Sequence, residues 1–409
     1  MRKKALQAAG LLSVVVIAAA ACSDDNGSSG GAEGPIKIGV LTSQSGPASA
    51  AFAGTEGAVK ARLEAYKADG GKCSNKQIDV VMADDQSSPQ GALVGTQKLV
   101  QQDNVHSMLE VTPYFFGAAT FATTAAKDTP VLGAAIDAAP QWLEDGNNLF
   151  AAMMTVPDTS KTYTSMGDYW KSLGIKKIAS VAYDNKASAD SMESVMRSAE
   201  DAGIERVYVN DTIPLGSTDV GSTVLGIKNS GAQALYLPIN PDTSLAIVAG
   251  LRQAGVNLES IVSASGYGGD LLASPPAVQA AQGVTFLSWS EPAEMNTPAT
   301  QKMSNALKKY ADSATGIPTM SQQFAWNTTD LFLHGLEISG CNASPAEYRS
   351  TLREDKTWDD GGMFAHPVDF STTASDTECL YMVDLKGDSF VPQPKNSPLC
   401  GTTVAPQSS

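Results

Sequence analysis

Residues 36–71 read IKIGVLTSQSGPASAAFAGTEGAVKARLEAYKADGG. An apolar run from Ile36 to Thr42 stops at a loop of Ser, Gly, Pro and Ala. An amphipathic segment, Phe52–Lys67, follows and ends at Gly70-Gly71, where a helix C-cap is expected. Loops of this composition between a strand and a helix bring backbone N–H groups close to a bound anion. The phosphate-loop spacing is absent, so the loop is not a nucleotide cradle.

The same unit recurs along the chain. Strands are expected from Ile36, Ile78 (IDVVMADD), Ser107 (SMLEVT) and Pro130 (PVLGAAI), and in a second series from Ile178 (IASVAY), Val207 (VYVNDTI), Ala234 (ALYLPIN) and Ile261 (IVSAS). Helices are expected over Gln90–Gln102, Ala189–Asp201, Thr243–Ala254, with Gly255 at its cap, and Pro298–Ala311. Two runs of βα units predict an α/β chain with two doubly wound, Rossmann-like lobes. In parallel sheets ligands sit beyond the carboxyl ends of the strands, so two facing sheets enclose a cleft lined by their strand-end loops. Past Val284 the pattern changes to a strand (VTFLSW), two helices and a strand-turn-strand with Gly387-Asp388 at the turn, which requires the chain to cross between the lobes more than once.

The N-terminus is an export signal. Arg2, Lys3 and Lys4 precede an apolar run from Leu11 to Ala21, too short to span a bilayer. Ala19-Ala20-Ala21 before Cys22 resembles a bacterial lipobox, with Ala19 where Leu is usual; the alternative is ordinary cleavage that leaves Cys22 free. Residues 23–34, SDDNGSSGGAEG, form a flexible tether suited to a lipidated anchor. The net charge is −15 and grows more negative once the signal is removed. No basic cluster offsets it, so nucleic acid is excluded as a partner. Cys73, Cys341, Cys379 and Cys400 are an even set in an exported chain and suggest two disulfides, with three pairings open.

Catalytic motifs are missing: there is no G-x-S-x-G elbow, no H-E-x-x-H helix and no complete G-x-G-x-x-G, the nearest being Gly266-Tyr267-Gly268-Gly269. His106, His334 and His366 stand in no nucleophile or metal setting. Asp84-Asp85 could serve acid–base chemistry, but carboxylates at a strand end more often cap a helix or bond loop amides. Asp359-Asp360-Gly361-Gly362 lacks the later ligands of a calcium loop and reads as a polar turn. No enzyme activity, cofactor or metal is expected.

Ser45-Gly46-Pro47, Gly70-Gly71, Asp84-Asp85, Pro89 and Leu99-Val100, in that order, resemble the opening of the substrate-binding proteins of branched-chain amino-acid-type ABC transporters. These are type I periplasmic binding proteins of the Leu/Ile/Val-binding kind. GIKKIASVAYDN, the stretch from Asp211 to Gly255 and QQFAWNTTDLFLHGLEISG are similar to later parts of that family, and the likeness spans 36–340. It implies a clamp with three hinge crossovers: 1–21 signal peptide, 22–35 tether, 36–157 plus 290–367 the first lobe, 158–289 plus 368–400 the second, and 401–409 a tail. Those bounds put Cys73 with Cys341 and Cys379 with Cys400, each pair within one lobe, where a disulfide leaves closure free.

The resemblance also implies a site. The family holds a ligand's α-carboxylate with the loops after the third and fourth strands, which here are Thr112-Pro113-Tyr114 and Gly133-Ala134-Ala135-Ile136, with Ala where the family often has Thr. The acid that would hold an ammonium aligns with Ser265 or Gly266, near Tyr267; Asp270 lies several residues later. An unpaired ammonium in a dry cleft costs several kcal/mol. Either Asp270 reaches in, or the ligand is not an α-amino acid. Ser188, Asn240, Gln322 and Gln323 replace common aromatic or apolar wall positions, while Phe52 and Tyr114 remain as apolar walls. The expectation is a monomeric extracytoplasmic lipoprotein that closes on a small polar solute, an amino acid, amide or urea-type compound, and delivers it to an ABC permease. The alternative is a sensory receptor of the same fold that signals to a membrane partner.

Overall fold

The computed structural model describes residues 34–393 and 398–404. The expected signal peptide, Cys22, the tether up to residue 33 and the tail beyond 404 lie outside the described residues.

Two sheets organise the chain. The first holds β1 (Ile36–Thr42), β2 (Ile78–Asp84), β3 (Ser107–Val111), β4 (Val131–Gly133) and β5 (Leu149–Ala151) in the order β2-β1-β3-β4-β5, all parallel. The second holds β6 (Lys177–Tyr183), β7 (Glu205–Ile213), β8 (Ala234–Leu237), β9 (Ser260–Ser263), β10 (Thr285–Ser288), β11 (Thr377–Lys386), β12 (Ser389–Pro392) and β13 (Leu399–Thr402). Its order is β12-β11-β10-β9-β8-β6-β7, with β13 beside β11; β6 to β10 run parallel and β11 is antiparallel to β10. All eight expected strands are present. β5, only three residues long, and β13 carry too little periodicity to be read from sequence.

The side-chain period of two explains how the second sheet is buried on both faces. In β6, Ala179, Val181 and Tyr183 enter one core while Ile178 and Ala182 enter another, and in β8 Leu235 and Leu237 oppose Ala234 and Tyr236 in the same way. The first core joins residues from Ile38 to Met154 with residues from Met303 to Phe370. The chain therefore passes between the two lobes three times: after β5, after β10 and before β11. The passages touch one another, since Glu291 N–H donates to Met363 O (2.8 Å), Thr155 Oγ1 to Thr377 O (3.1 Å) and Ala365 N–H to Met154 Sδ (3.1 Å).

The expected helices form with local changes. Phe52 closes a one-turn helix, Ser49–Phe52, and the long helix is Thr55–Ala68; at Gly54 a Cβ would stand 2.6 Å from Gln322 Cγ, so the junction needs Gly. Gln90–Gln102 becomes an α-helix, Pro89–Gln97, running into a π turn, Lys98–Gln102. A third C-terminal helix, Pro345–Glu354, starts at a Ser344/Glu347 capping box that the sequence reading passed over. Disulfides join Cys73 to Cys341 and Cys379 to Cys400 (Cα–Cα 5.4 and 4.1 Å), the second across the β11–β13 register pair.

Candidate functional site

The first sheet's strand ends are built around carboxylates. Asp84 closes β2, and its Oδ1 accepts from the backbone N–H of Gln44 (2.9 Å), Ser45 (3.1 Å) and Gln86 (2.9 Å), while Ser45 Oγ donates to Oδ2 (2.5 Å). An anion does sit in the Ser45-Gly46-Pro47 loop, and it is the protein's own. Desolvation raises the Asp84 pKa, but the bonds from Ser45, Gln86 and Gln44 outweigh it and hold the group below its ordinary value. Asp85, fully buried, accepts from Ser87 N–H (2.7 Å) and from the Thr112 hydroxyl.

One strand further, Glu110 stands in the middle of the otherwise apolar run SMLEV and is fully buried. Its Oε1 accepts from Thr112 N–H (2.8 Å), and the amides of Ala134 and Ala135 also favour its charged form. Asp137, in the loop after β4, accepts from the Trp142 indole N–H (2.6 Å). Burial, with Asp137 close by, pushes the Glu110 carboxyl well up, and burial lifts Asp137 to about 6. Glu110 Oε2 and Asp137 Oδ2 have no hydrogen-bond partner among the described residues. The loop above them is strained, with Ala135 at φ 51° and Ala138 at φ 56°.

The residues singled out from sequence divide into two groups. Thr112, Pro113, Tyr114, Ala134 and Ala135 lie together on adjacent strand ends, where Glu110 pairs with Gly133 in register. Tyr114 is half-buried, and its N–H donates to Thr112 Oγ1 (3.1 Å). In the second sheet, the Ser188 hydroxyl accepts from Tyr183 N–H (3.0 Å) and donates to Pro238 O (2.8 Å), binding the ends of β6 and β8 together. Asn240 N–H donates to the Tyr183 hydroxyl (3.1 Å), and its exposed side chain makes no capping bond. Asp270 lies exposed on a one-turn helix, Gly269–Leu272; the surrounding protein raises its pKa by desolvation, an effect limited by the water that reaches it.

The others are mostly buried. Phe52 packs in the first core and also lines a hollow at the end of β1 with Thr42, Gln44, Ser49 and Glu56. Tyr267 is buried against Phe390 (centroids 4.9 Å apart), and its hydroxyl donates to Glu294 Oε2 (2.7 Å) while accepting from Ala293 N–H (2.8 Å). Gln322 completes the capping box of helix Met320–Ser339. Gln323 Oε1 lies 3.4 Å from Ser288 Oγ, and its Nε2 lacks a partner among the described residues. Sequence reasoning missed Glu110 and Asp137, although an acid inside a Val/Leu/Met run is a readable signal. It also missed Phe116 and Leu215, large apolar side chains 49% and 61% exposed in the segments that follow β3 and β7.

A separate cavity opens where the chain passages meet, lined by Met154, Tyr163, Tyr236, Trp289 and Glu378 among others, and so at the hinge and not at the strand-end loops. The histidines are held by local contacts: His106 bonds Ser107 Oγ and Ala343 O, His334 pairs with Asp355 (2.9 Å), and His366 is half-buried with Nδ1 3.0 Å from Pro367 O. The expected polar turn at Asp359–Gly362 is a 3-10 turn whose Asp360 is buried, a correction no local pattern reveals. No group of three or more His, Cys, Asp or Glu suited to a metal exists among the described residues.

The profile of the periplasmic binding protein family matches residues 35–389. The chain belongs to that family. Its members and fold neighbours are solute-binding proteins of ABC transporters and not enzymes. A Rhodopseudomonas palustris solute-binding protein in complex with 4-hydroxybenzoate shares the fold at TM-score 0.68 and 18% identity, covering 91% of this chain and 96% of that one. A fatty acid transporter substrate-binding protein from Thermomonospora curvata gives TM-score 0.70 at 17% identity, covering 92% and 94%. The branched-chain amino acid transporter substrate-binding protein of Streptococcus pneumoniae, in complex with isoleucine, gives 0.68 at 19%, covering 91% and 100%. At such identities the likeness carries the fold alone. No curated protein matches the sequence. Among the described residues, no helix is long and apolar enough to cross a membrane.

Proposed function

We propose that this chain is an extracytoplasmic lipoprotein, anchored through Cys22, that closes its two lobes on a small polar solute and hands it to an ABC permease. The observation that carries the reading is the presence of two sheets, one parallel and one mixed, whose parallel strands end in polar loops and which are joined by three chain passages that touch one another. The hinge would lie near residues 157, 289 and 367. Solute binding shifts an open–closed equilibrium only through contacts that differ between the two states, so groups on the second lobe matter as much as those on the first. In this reading Thr112, Tyr114 and Ala135 shape the first wall, Asn240 and Asp270 offer polar groups from the second, and Ser188 and Tyr267 hold that wall in place.

Calorimetry and thermal-shift screening over amino acids, amides, ureas and small carboxylates should yield at least one solute that raises the melting temperature, and small-angle scattering should show a smaller radius of gyration with it bound. A panel without a single ligand would remove the transport reading. Labelled palmitate should enter the wild-type protein and not Cys22→Ser, which tests the anchor independently.

A further inference from the structure

We propose that the first lobe's face of the clamp receives an N–H donor, an amide or amine head group, and rejects a free carboxylate. The inference deepens the solute-binding reading above and rests on it. A carboxylate ligand needs unused backbone donors or a cation, and this face offers few of either. The N–H groups of Gln44, Ser45 and Gln86 point to Asp84, those of Ser87 and Thr112 to Asp85 and Glu110, that of Tyr114 to Thr112 Oγ1 and that of Ala134 to Glu110 O. The Thr112 hydroxyl is held by Asp85.

The charges point the same way. The strand-end segments 43–48, 85–88, 112–115 and 134–139 contain no Lys or Arg, and among the described residues no ion pair includes Asp84, Asp85, Glu110 or Asp137. Glu110 and Asp137 are 0% and 5% exposed, and each keeps an oxygen without a partner among the described residues, so the pair adds buried, unused acceptors to the carboxylates of Asp84 and Asp85. Against them stands the N-terminus of helix Phe116–Thr124, which has no side-chain cap. A helix terminus is equivalent to roughly +0.5 charge, too little to reverse the charge of Asp84 and Asp85 alone. At the strand ends of the second sheet, the loops after β6 and β8 carry Asp184, Asp242 and the exposed amide of Asn240, and their one basic group, Lys186, is paired with Asp190. The strand ends of both sheets thus carry acids, which disfavour a carboxylate and offer acceptors to an amide or ammonium, with exposed Phe116 beside the first wall to cover an apolar body.

The test uses the purified protein, freed of bound solute, against matched pairs that differ only in the head group: leucine and leucinamide, benzoate and benzamide, 4-hydroxybenzoate and its amide. We expect the amide member of a pair to bind at least about tenfold tighter by calorimetry. Asp137→Asn should strengthen benzoate or 4-hydroxybenzoate by a similar factor and leave the matching neutral amide within about twofold, since removing one like charge at ~8 Å and an effective dielectric of ~20 is worth an order of magnitude or more. A carboxylate that binds the wild type as tightly as its amide overturns the inference and leaves the clamp reading standing. If no member of these pairs and no solute of the wider panel binds, the solute-binding reading falls and this inference with it.

Discussion

The first lobe buries two acid clusters that look alike and differ in one component. In one, the Trp358 indole donates to Asp330 Oδ2 (2.8 Å), Asp360 lies beside them, and Arg62 closes on Asp330 through Nε (2.8 Å) and Nη2 (2.6 Å) while stacking over Trp326 at 5.2 Å. In the other, the Trp142 indole donates to Asp137 and Glu110 lies beside it, with no cation. Burial raises Asp360 in the first cluster and both Glu110 and Asp137 in the second. The first cluster sets a cation, Arg62, against its acids; among the described residues the second has no Lys or Arg paired with it. The Arg62 cluster ties helices Thr55–Ala68 and Met320–Ser339 to the 3-10 turn, whereas the Glu110–Asp137 cluster lies under the loops after β3 and β4. Buried acids are matched by a cation in the packed helices and left without one at the strand ends, where the proposed function places the ligand.

The largest expected effect comes from breaking the Arg62 cluster. Arg62→Leu leaves Asp330 buried without its partner and should cost about 3–5 kcal/mol in urea unfolding. An unchanged midpoint would mean that water already satisfies Asp330. The Glu110–Asp137 cluster should show itself in pH dependence. The Asp137 pKa is about 6 in the fold against ~3.9 when unfolded, so the folded state binds the proton more tightly; stability is fully present below pH ~4 and is lost as pH rises through 6. The melting temperature should therefore rise from pH 7 to pH 5, and Asp137→Asn should flatten that rise. Smaller still is Asp84→Asn, which leaves one acceptor oxygen for three amides and a hydroxyl at a partly exposed site and should cost ~1 kcal/mol. Least of all, Ala138→Gly relieves a left-handed residue in the exposed part of the strained loop and should stabilise by up to ~1 kcal/mol.

Most of the fold was legible because its parallel strands are buried on both faces and read as Val- and Ile-rich runs, and because Gly70 and Gly255 end their helices in the left-handed region. Asp84 and Asp85 were also read well: strand-end carboxylates bonding loop amides is what the structure contains. The site was less legible. Tyr267 and Gln323 stand at cleft positions of the chain, yet they meet partners distant in sequence, Phe390 and Glu294 for the first and Ser288 for the second, while Gln322 closes a local cap with Thr319.

The sequence by itself determined the strand-loop-helix rhythm, the doubling into two lobes, the even cysteine set and the absence of catalytic motifs, since each rests on local periodicity, composition or spacing. Tertiary structure alone decided which acid is paid for by a base. Arg62 is 268 residues from Asp330, while Glu110 and Asp137 stand on adjacent strand ends with no Lys or Arg to meet them. Charge is counted along the chain, but its energy depends on distance and burial, and those exist only once the sheets have formed.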